Sequence, residues 1–284
     1  MKVQHFFDAR TSTLTYVVYD EASHTGVVID PVLDFEQPAG RTFEESLTTL
    51  CRFLDEQKLS VPFVLDTHVH ADHMTGLAKI KQRYGSATVI GAHIAEVQKA
   101  FAKLFNVERE VAVDGSQFDR LLADGDSLDV GPFTIHARHT PGHTPACSTY
   151  QIGDKLFVGD VMFMPDFGTA RCDFPGGSAE MLYDSIQRLY QLPDATEIYA
   201  CHDYQPGGRE LRYQTTVGEQ KASNLQLKAD TSKADFVKFR SERDAKLSLP
   251  TLMLAVLQIN MRAGALPEPE SNGTSYLKLP LNQL

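Results

Sequence analysis

Residues 67–73 read T-H-V-H-A-D-H, which places His68, His70, Asp72 and His73 within six consecutive positions. Just before them, residues 61–66 (V-P-F-V-L-D) form a short apolar run with the character of a buried strand. Just after them, Leu77, Ile80, Lys81 and Tyr84 fall at helical spacing. The imidazoles therefore occupy a strand-to-helix turn, where loop side chains converge on one point. Three imidazoles and a carboxylate crowded at a strand end cost stability unless something binds them. The pattern predicts a metal site rather than a solvated polar turn.

Three more candidate ligands stand at predicted strand ends or turns. They are His143 in T-P-G-H-T-P, Asp160 closing K-L-F-V-G-D, and His202 closing I-Y-A-C-H. Together, five imidazoles and two carboxylates suffice for two metals with one carboxylate bridging, or for one metal with ligands to spare. Nitrogen and carboxylate donors without thiolate fit Zn, Fe(II) or Mn and exclude a cysteine-type structural zinc. Ligands dispersed over loops suit a centre with an open coordination position, which catalysis requires. The other histidines carry less. His5 and His24 read as surface groups, and His93 as a helix-terminal contact. His136 and His139 lie near the P-G-H turn, where His139 is a candidate to brace a ligating imidazole through its second nitrogen. Strand alternation turns Cys201 away from the face of His202 and assigns it to packing. Cys147 and Cys172 become reactive only beside groups that lower their pKa.

At 284 residues the chain reads as a single α/β domain, 1–284, with a core over about 1–211 and a C-terminal helical extension over about 212–284. Acidic residues number 37 against 27 basic ones, a formal net charge of -10 that argues against a nucleic-acid partner. No run approaches the length of a membrane span, and residues 1–10 lack the apolar stretch of a signal peptide. Cys51, Cys147, Cys172 and Cys201 show no C-x-x-C pairing, which suggests a reducing compartment and a cytoplasmic location. Strands are expected over residues 14–19 and 25–31, then in P-F-T-I-H-A-R-H, A-C-S-T-Y-Q-I and K-L-F-V-G-D, with residues 197–202 the last. Thr42 and Glu45 stand at capping-box spacing before a helix that turns Leu47, Leu50 and Leu54 inward. Further helices are expected over about 93–105, from the cap Ser178 through Tyr190, and repeatedly from Arg212 onward, one with Pro250 in its first turn. Strand–helix alternation of this kind suggests two sheets face to face with helices outside.

The motifs T-H-x-H-x-D-H, P-G-H-T, G-D and C-H-D-Y resemble those of the metallo-β-lactamase superfamily, which implies a four-layer αβ/βα sandwich with metals at the sheet edges. More narrowly, V-V-I-D-P-V-L-D, T-H-V-H-A-D-H-M-T-G, T-P-G-H-T-P-A-C, G-T-A-R-C-D-F and I-N-M-R-A-G are similar to segments of persulfide dioxygenases. The stretch D-F-G-T-A-R-C-D-F-P-G-G resembles the bacterial branch. That resemblance implies one Fe(II) held by His68, His143 and Asp160, and oxidation of glutathione persulfide by O₂ to glutathione and sulfite. His70, Asp72, His73 and His202 would then form a second, unfilled site. Without the resemblance, the same seven residues read as a two-zinc thioester hydrolase similar to glyoxalase II, with Asp160 bridging. A non-catalytic metal-binding or redox-sensing module is the reading from a different class. Glutathione carries two carboxylates, so the resemblance points to Arg171, Tyr204 and Arg262 as substrate contacts. It also points to a homodimer.

Overall fold

The computed structural model describes residues 1–283. The first half runs β1 (Lys2–Asp8), β2 (Thr13–Asp20), β3 (Thr25–Ile29), β4 (Val32–Glu36), β5 (Arg41–Phe43), α1 (Glu45–Glu56), β6 (Ser60–Leu65), β7 (Met74–Thr75), α2 (Leu77–Tyr84), β8 (Ala87–Gly91), α3 (Ile94–Leu104) and β9 (Arg120–Leu122). The second half is strand-rich and then helical. It contains β10 (Ser127–Asp129), β11 (Thr134–His139), β12 (Ser148–Ile152), β13 (Lys155–Phe157), α4 (Ala179–Leu189), β14 (Glu197–Tyr199), β15 (Gln214–Thr216), α5 (Val217–Ser223), α6 (Lys233–Asp244) and α7 (Met253–Asn260).

Two six-stranded sheets form, in the orders β1-β2-β3-β6-β8-β9 and β10-β11-β12-β13-β14-β15, with β5-β4-β7 as a small third sheet. Strand β2 shows why the sheets stack. It is apolar on both faces, and successive side chains of a strand point opposite ways. Leu14, Tyr16 and Val18 enter the core between the sheets, with Ile135, Tyr150, Ile152 and Phe157 of the second sheet. Val17 points instead into a core built with Leu50 and Leu54 of α1, Ile80 of α2 and Phe101 of α3. A third core puts Leu156 and Ile198 of the second sheet against Leu182 and Ile186 of α4 and Phe236 of α6. The layers are therefore helix, sheet, sheet, helix, the four-layer sandwich expected. Each fully buried aliphatic side chain contributes roughly 1.5–3 kcal/mol over an exposed one.

Some local expectations hold. Ser178 caps α4 by accepting the Met181 N–H at 3.3 Å. Others are corrected. Thr42 belongs to β5 and makes no cap; instead Asp34, from β4, accepts the N–H and hydroxyl of Ser46 at 2.9 and 2.8 Å at the start of α1. Residues 197–202 are not the last strand, because β15 pairs antiparallel with β14 before the helices return. Pro250 lies in the turn ahead of α7, where its carbonyl accepts the Met253 N–H. No helix among the described residues is long and apolar enough to cross a membrane.

The turn carrying His143 depends on Gly142, whose φ is +148°. A Cβ there would sit 2.4 Å from Leu182 Cα at the start of α4. Gly142→Ala is expected to cost about 2–4 kcal/mol through overpacking and backbone strain, a fall in Tm of about 4–10 °C in differential scanning calorimetry. An unchanged midpoint would mean that α4 and the turn are not locked together.

Candidate metal centre

All seven predicted ligands converge at one edge of the sandwich, on segments that leave the ends of β6, β11, β13 and β14. The ligand atoms of His68, His143 and Asp160 lie within 4.8 Å of one another, as do those of His70, Asp72, His73 and His202. Asp160 stands between the groups. Its Oδ2 is 3.9 Å from His68 Nε2 and 3.7 Å from His143 Nε2, while its Oδ1 is 3.3 Å from His202 Nε2. Gly159 makes this placement: with φ at +54°, its backbone runs so close to Thr67 that a Cβ would meet the threonine hydroxyl at 2.5 Å. His202 is pinned through its neighbours, since Leu14 donates to the Cys201 carbonyl and Asp203 to the Ser12 carbonyl.

Each imidazole is oriented by the nitrogen it does not present. The Thr67 hydroxyl donates to Asp30, so His68 Nδ1–H donates to that hydroxyl at 3.0 Å and Nε2 is left bare. His143 Nδ1–H donates to the Arg171 carbonyl at 2.8 Å, and His202 Nδ1–H to the Ser12 carbonyl at 3.2 Å. His70 is reversed: Nε2–H donates to Asp30 at 3.0 Å and Nδ1 is bare. His73 Nδ1 faces Asp72 and Thr13, both at 3.4 Å. Such partners fix the tautomer of ligating imidazoles.

The bare atoms test whether a metal fits. His68 Nε2, His70 Nδ1, His73 Nε2, His202 Nε2 and Asp160 Oδ1 are buried without any hydrogen-bond partner. Each such orphan costs about 1–3 kcal/mol, and their convergence fits a bound cation. Burial, then neighbouring imidazoles, holds His68 and His70 well below the usual histidine pKa and keeps them neutral, the form that ligates. Burial opposes charge on His202, but Asp72 and Asp160 outweigh it and raise its pKa. Burial would raise Asp72, yet His202 and His73 hold it well below the ordinary carboxylate range.

Asp30 ties this shell together and was not singled out in the sequence. It closes V-V-I-D, the same strand-end acid pattern that marked Asp160. Its carboxylate accepts the Thr67 N–H and hydroxyl, His70 Nε2–H and the Cys201 thiol. Cys201 therefore does not point away from the centre. Strand β14 ends at Tyr199, so alternation no longer applies, and Cys201 Sγ lies within 4.8 Å of the ligand atoms of Asp160 and His202. Burial, together with Asp30 and Asp160, pushes this thiol well above its usual pKa. Burial pushes the Cys147 thiol up to about 12 and raises Cys172 as well. His139 braces no ligand directly: it donates to the Pro145 carbonyl and stacks on His93 at 3.8 Å.

A cavity of about 200 Å³ opens on the centre, and of the seven ligands His143, Asp160 and Asp72 line it. Phe163, Phe167, Phe174 and Tyr204 make its aromatic walls. Tyr204 lies with its ring nearly parallel to that of His202 at 5.7 Å. Arg171 lines the cavity, but its guanidinium is committed to Asp173 at 2.6 and 2.7 Å and to the Ser248 carbonyl. Its contribution to the centre is the backbone carbonyl under His143. Arg262 is not brought here; it lines a separate groove with Glu110 and Lys278. Two arginines of α6 are. Arg240 is bonded to Asp244, Gln226 and Thr169, whereas Arg243 makes no side-chain hydrogen bond or ion pair among the described residues. Nothing in R-S-E-R-D distinguishes Arg243 from any solvated helix residue.

Known proteins are similar to this chain in sequence and fold. A probable metallo-hydrolase of Burkholderia pseudomallei (strain 1710b) is 48% identical over 294 residues, covering 100% of both chains. Glyoxylase B2 of Dictyostelium discoideum is 43% identical over 100% of this chain and 98% of its own. The mitochondrial persulfide dioxygenase ETHE1 of Bos taurus is 30% identical over 94% of this chain and 90% of its own. Among solved structures, ETHE1 from Myxococcus xanthus superposes with a TM-score of 0.75 at 31% identity, over 93% of this chain and 100% of that one. The family model described as the metallo-beta-lactamase superfamily matches residues 9–202. By that match, which takes in the turn at residues 67–73 and runs as far as His202, the chain belongs to the metallo-beta-lactamase superfamily.

Proposed function

We propose that this chain is an iron-dependent dioxygenase of glutathione persulfide. The overall reaction balances as RSSH + O₂ + H₂O giving RSH and sulfurous acid, with the outer sulfur oxidised and O₂ reduced. The observation that carries this reading is the difference between the two ligand groups. His143 and Asp160 open onto the cavity and, with His68, offer two imidazoles and one carboxylate. In the second group Asp72 reaches the cavity, but the imidazoles of His70, His73 and His202 are sealed at 0–1% exposure. That of His68 is sealed as well, so the first group alone presents an imidazole, His143, to the cavity. His68, His143 and Asp160 would hold iron(II), which would supply oxygen activation there. The persulfide dioxygenase relative and the ETHE1 structure support the same reading.

The chain's own residues would do the rest. Phe163, Phe167 and Phe174 would exclude water from the sulfur. Arg243 is the uncommitted cation on the wall and would pair with a glutathionyl carboxylate. Asp160, facing both groups, favours a second reading: a two-zinc hydrolase of glutathione thioesters with Asp160 as the bridge. The glyoxylase B2 and metallo-hydrolase relatives support that one.

Oxygen uptake separates the two. Iron-loaded protein is expected to consume O₂ with glutathione persulfide and release sulfite, and Asp160→Ala to abolish both. The absence of uptake, with brisk S-lactoylglutathione hydrolysis by the zinc form, would establish the hydrolase instead. His73→Ala sharpens the comparison, since a dioxygenase using His68, His143 and Asp160 should lose no more than about 10–100-fold, the range for residues behind a metal's own ligands.

For substrate binding, Arg243→Ala should raise KM for glutathione persulfide by about tenfold, roughly 1.4 kcal/mol, with kcat unchanged. Arg171→Ala should raise it less, because that guanidinium is already paired. Equal KM values for wild type and Arg243→Ala would remove Arg243 from the substrate site.

A further inference from the structure

Helix α7 reads M-L-A-V-L-Q-I-N and is buried in the core between the first sheet and its helices, yet it ends on a polar side chain that is 1% exposed. The Asn260 carboxamide does not face a side chain. Its Nδ2 donates to the His70 and His73 carbonyls, both at 2.8 Å, and its Oδ1 accepts the Thr75 N–H at 2.9 Å. Between His68 and His73, no backbone group bonds to another backbone group among the described residues. The segment holding four of the seven ligands therefore has Asn260 as its backbone partner in place of a strand or helix ladder. A buried carbonyl or N–H without a partner is strongly disfavoured, so this contact dictates the path of the loop.

A second feature of the same segment points the same way. After α7 the chain turns through Ala263 and Gly264, at φ +54° and +84°. Gly264 comes so close to the end of this loop that a Cβ would lie 3.2 Å from the Thr75 carbonyl oxygen and 3.1 Å from Ala78 N. Asn260 and Gly264 are both in I-N-M-R-A-G, whose arginine faces away toward Glu110. The segment's role is to dock on the loop, with the asparagine and the glycine making the contact.

We propose that Asn260 is a positioning residue of the metal centre: its carboxamide fixes the backbone of residues 70–75 and thereby aims His70, Asp72 and His73. The proposal rests on the metal-centre reading. In the two-zinc case His70, Asp72 and His73 would be ligands, in the one-iron case they would stand behind the ligands, and the expected loss applies to both. A merely structural asparagine would lower stability without altering the metal, so the test compares the two effects. Asn260→Ala removes all three bonds. Asn260→Asp keeps the shape and the acceptor but loses the donors, and serves if the alanine variant does not fold. Val256→Ala, one turn earlier in the same helix and fully buried, is the control for lost packing.

Cobalt(II) affinity by competitive titration and the cobalt absorption spectrum are the readouts, alongside Tm of the metal-free proteins. The Asn260 variants should bind cobalt about 10–100-fold more weakly, with altered band positions or intensities. Val256→Ala should lower Tm while keeping affinity within about twofold and the spectrum intact, because it leaves the three Asn260 hydrogen bonds to the loop in place. Wild-type affinity and spectrum in Asn260→Asp, or equal weakening in Val256→Ala, would overturn the proposal. A wild-type chain that binds no cobalt would instead overturn the metal-centre reading, and this proposal with it.

Discussion

Each of the five clustered imidazoles has one nitrogen engaged by an oxygen, and the rest of the candidate centre follows from that. A neutral imidazole has one N–H and one lone pair. Once the Arg171 carbonyl, the Ser12 carbonyl or the Asp30 carboxylate has taken the N–H, the lone pair has a single direction left. Hydrogen bonds of this sort are worth roughly 0.5–1.5 kcal/mol each to stability, which is modest. Their larger consequence is directional: they bring lone pairs to one place in a buried setting that suits a cation.

The fold supplies those acceptors from distant stretches of chain. Ser12 precedes β2, Asp30 follows β3, Thr67 follows β6, and Arg171 lies between β13 and α4. They meet because both sheets end at the same edge of the sandwich, where strand ends leave carbonyls and turns unpaired by any ladder. Two glycines let the backbones approach closely enough. At Gly142 and Gly159 a side chain would collide with Leu182 and Thr67, and those are the positions immediately before His143 and Asp160. Tight packing before a ligand limits how far that ligand can drift.

The ligands were legible in the sequence because their chemistry is unusual for their position. Imidazoles and carboxylates clustered at strand ends stand out against an apolar pattern, and the structure gathers all seven. Strands and helices with clear periodicity, such as residues 14–19 and 178–190, were legible for the same reason. What hides is whatever depends on a partner far away in the chain. Thr42 and Glu45 have capping-box spacing, but the acceptor at the start of α1 is Asp34 from another strand. Alternation carried past the end of β14 sent Cys201 to the wrong face. Arg171 and Arg262 read as cations for a substrate carboxylate, though one is closed by Asp173 and the other faces Glu110. Charge type is visible in a sequence, but whether a charge is already paired is not.

Residues beyond 212 divide their work in a way that bears on how such a scaffold changes substrate. Helix α6 meets the cavity through Arg240 and Arg243 and touches none of the ligating nitrogens. Helix α7 touches the ligand loop through Asn260 and does not line the cavity. On the proposed reading, a substitution on the cavity face of α6 would alter what is recognised while leaving the His68–His73 loop in place. A substitution at the end of α7 would do the reverse. Since specificity is a difference in contacts and metal chemistry depends on ligand geometry, separating them onto two helices lets one vary without the other. Asp160 has no such freedom. Facing both ligand groups, it serves the one-iron and the two-zinc readings alike, and relatives of this chain carry names from hydrolysis and from oxidation.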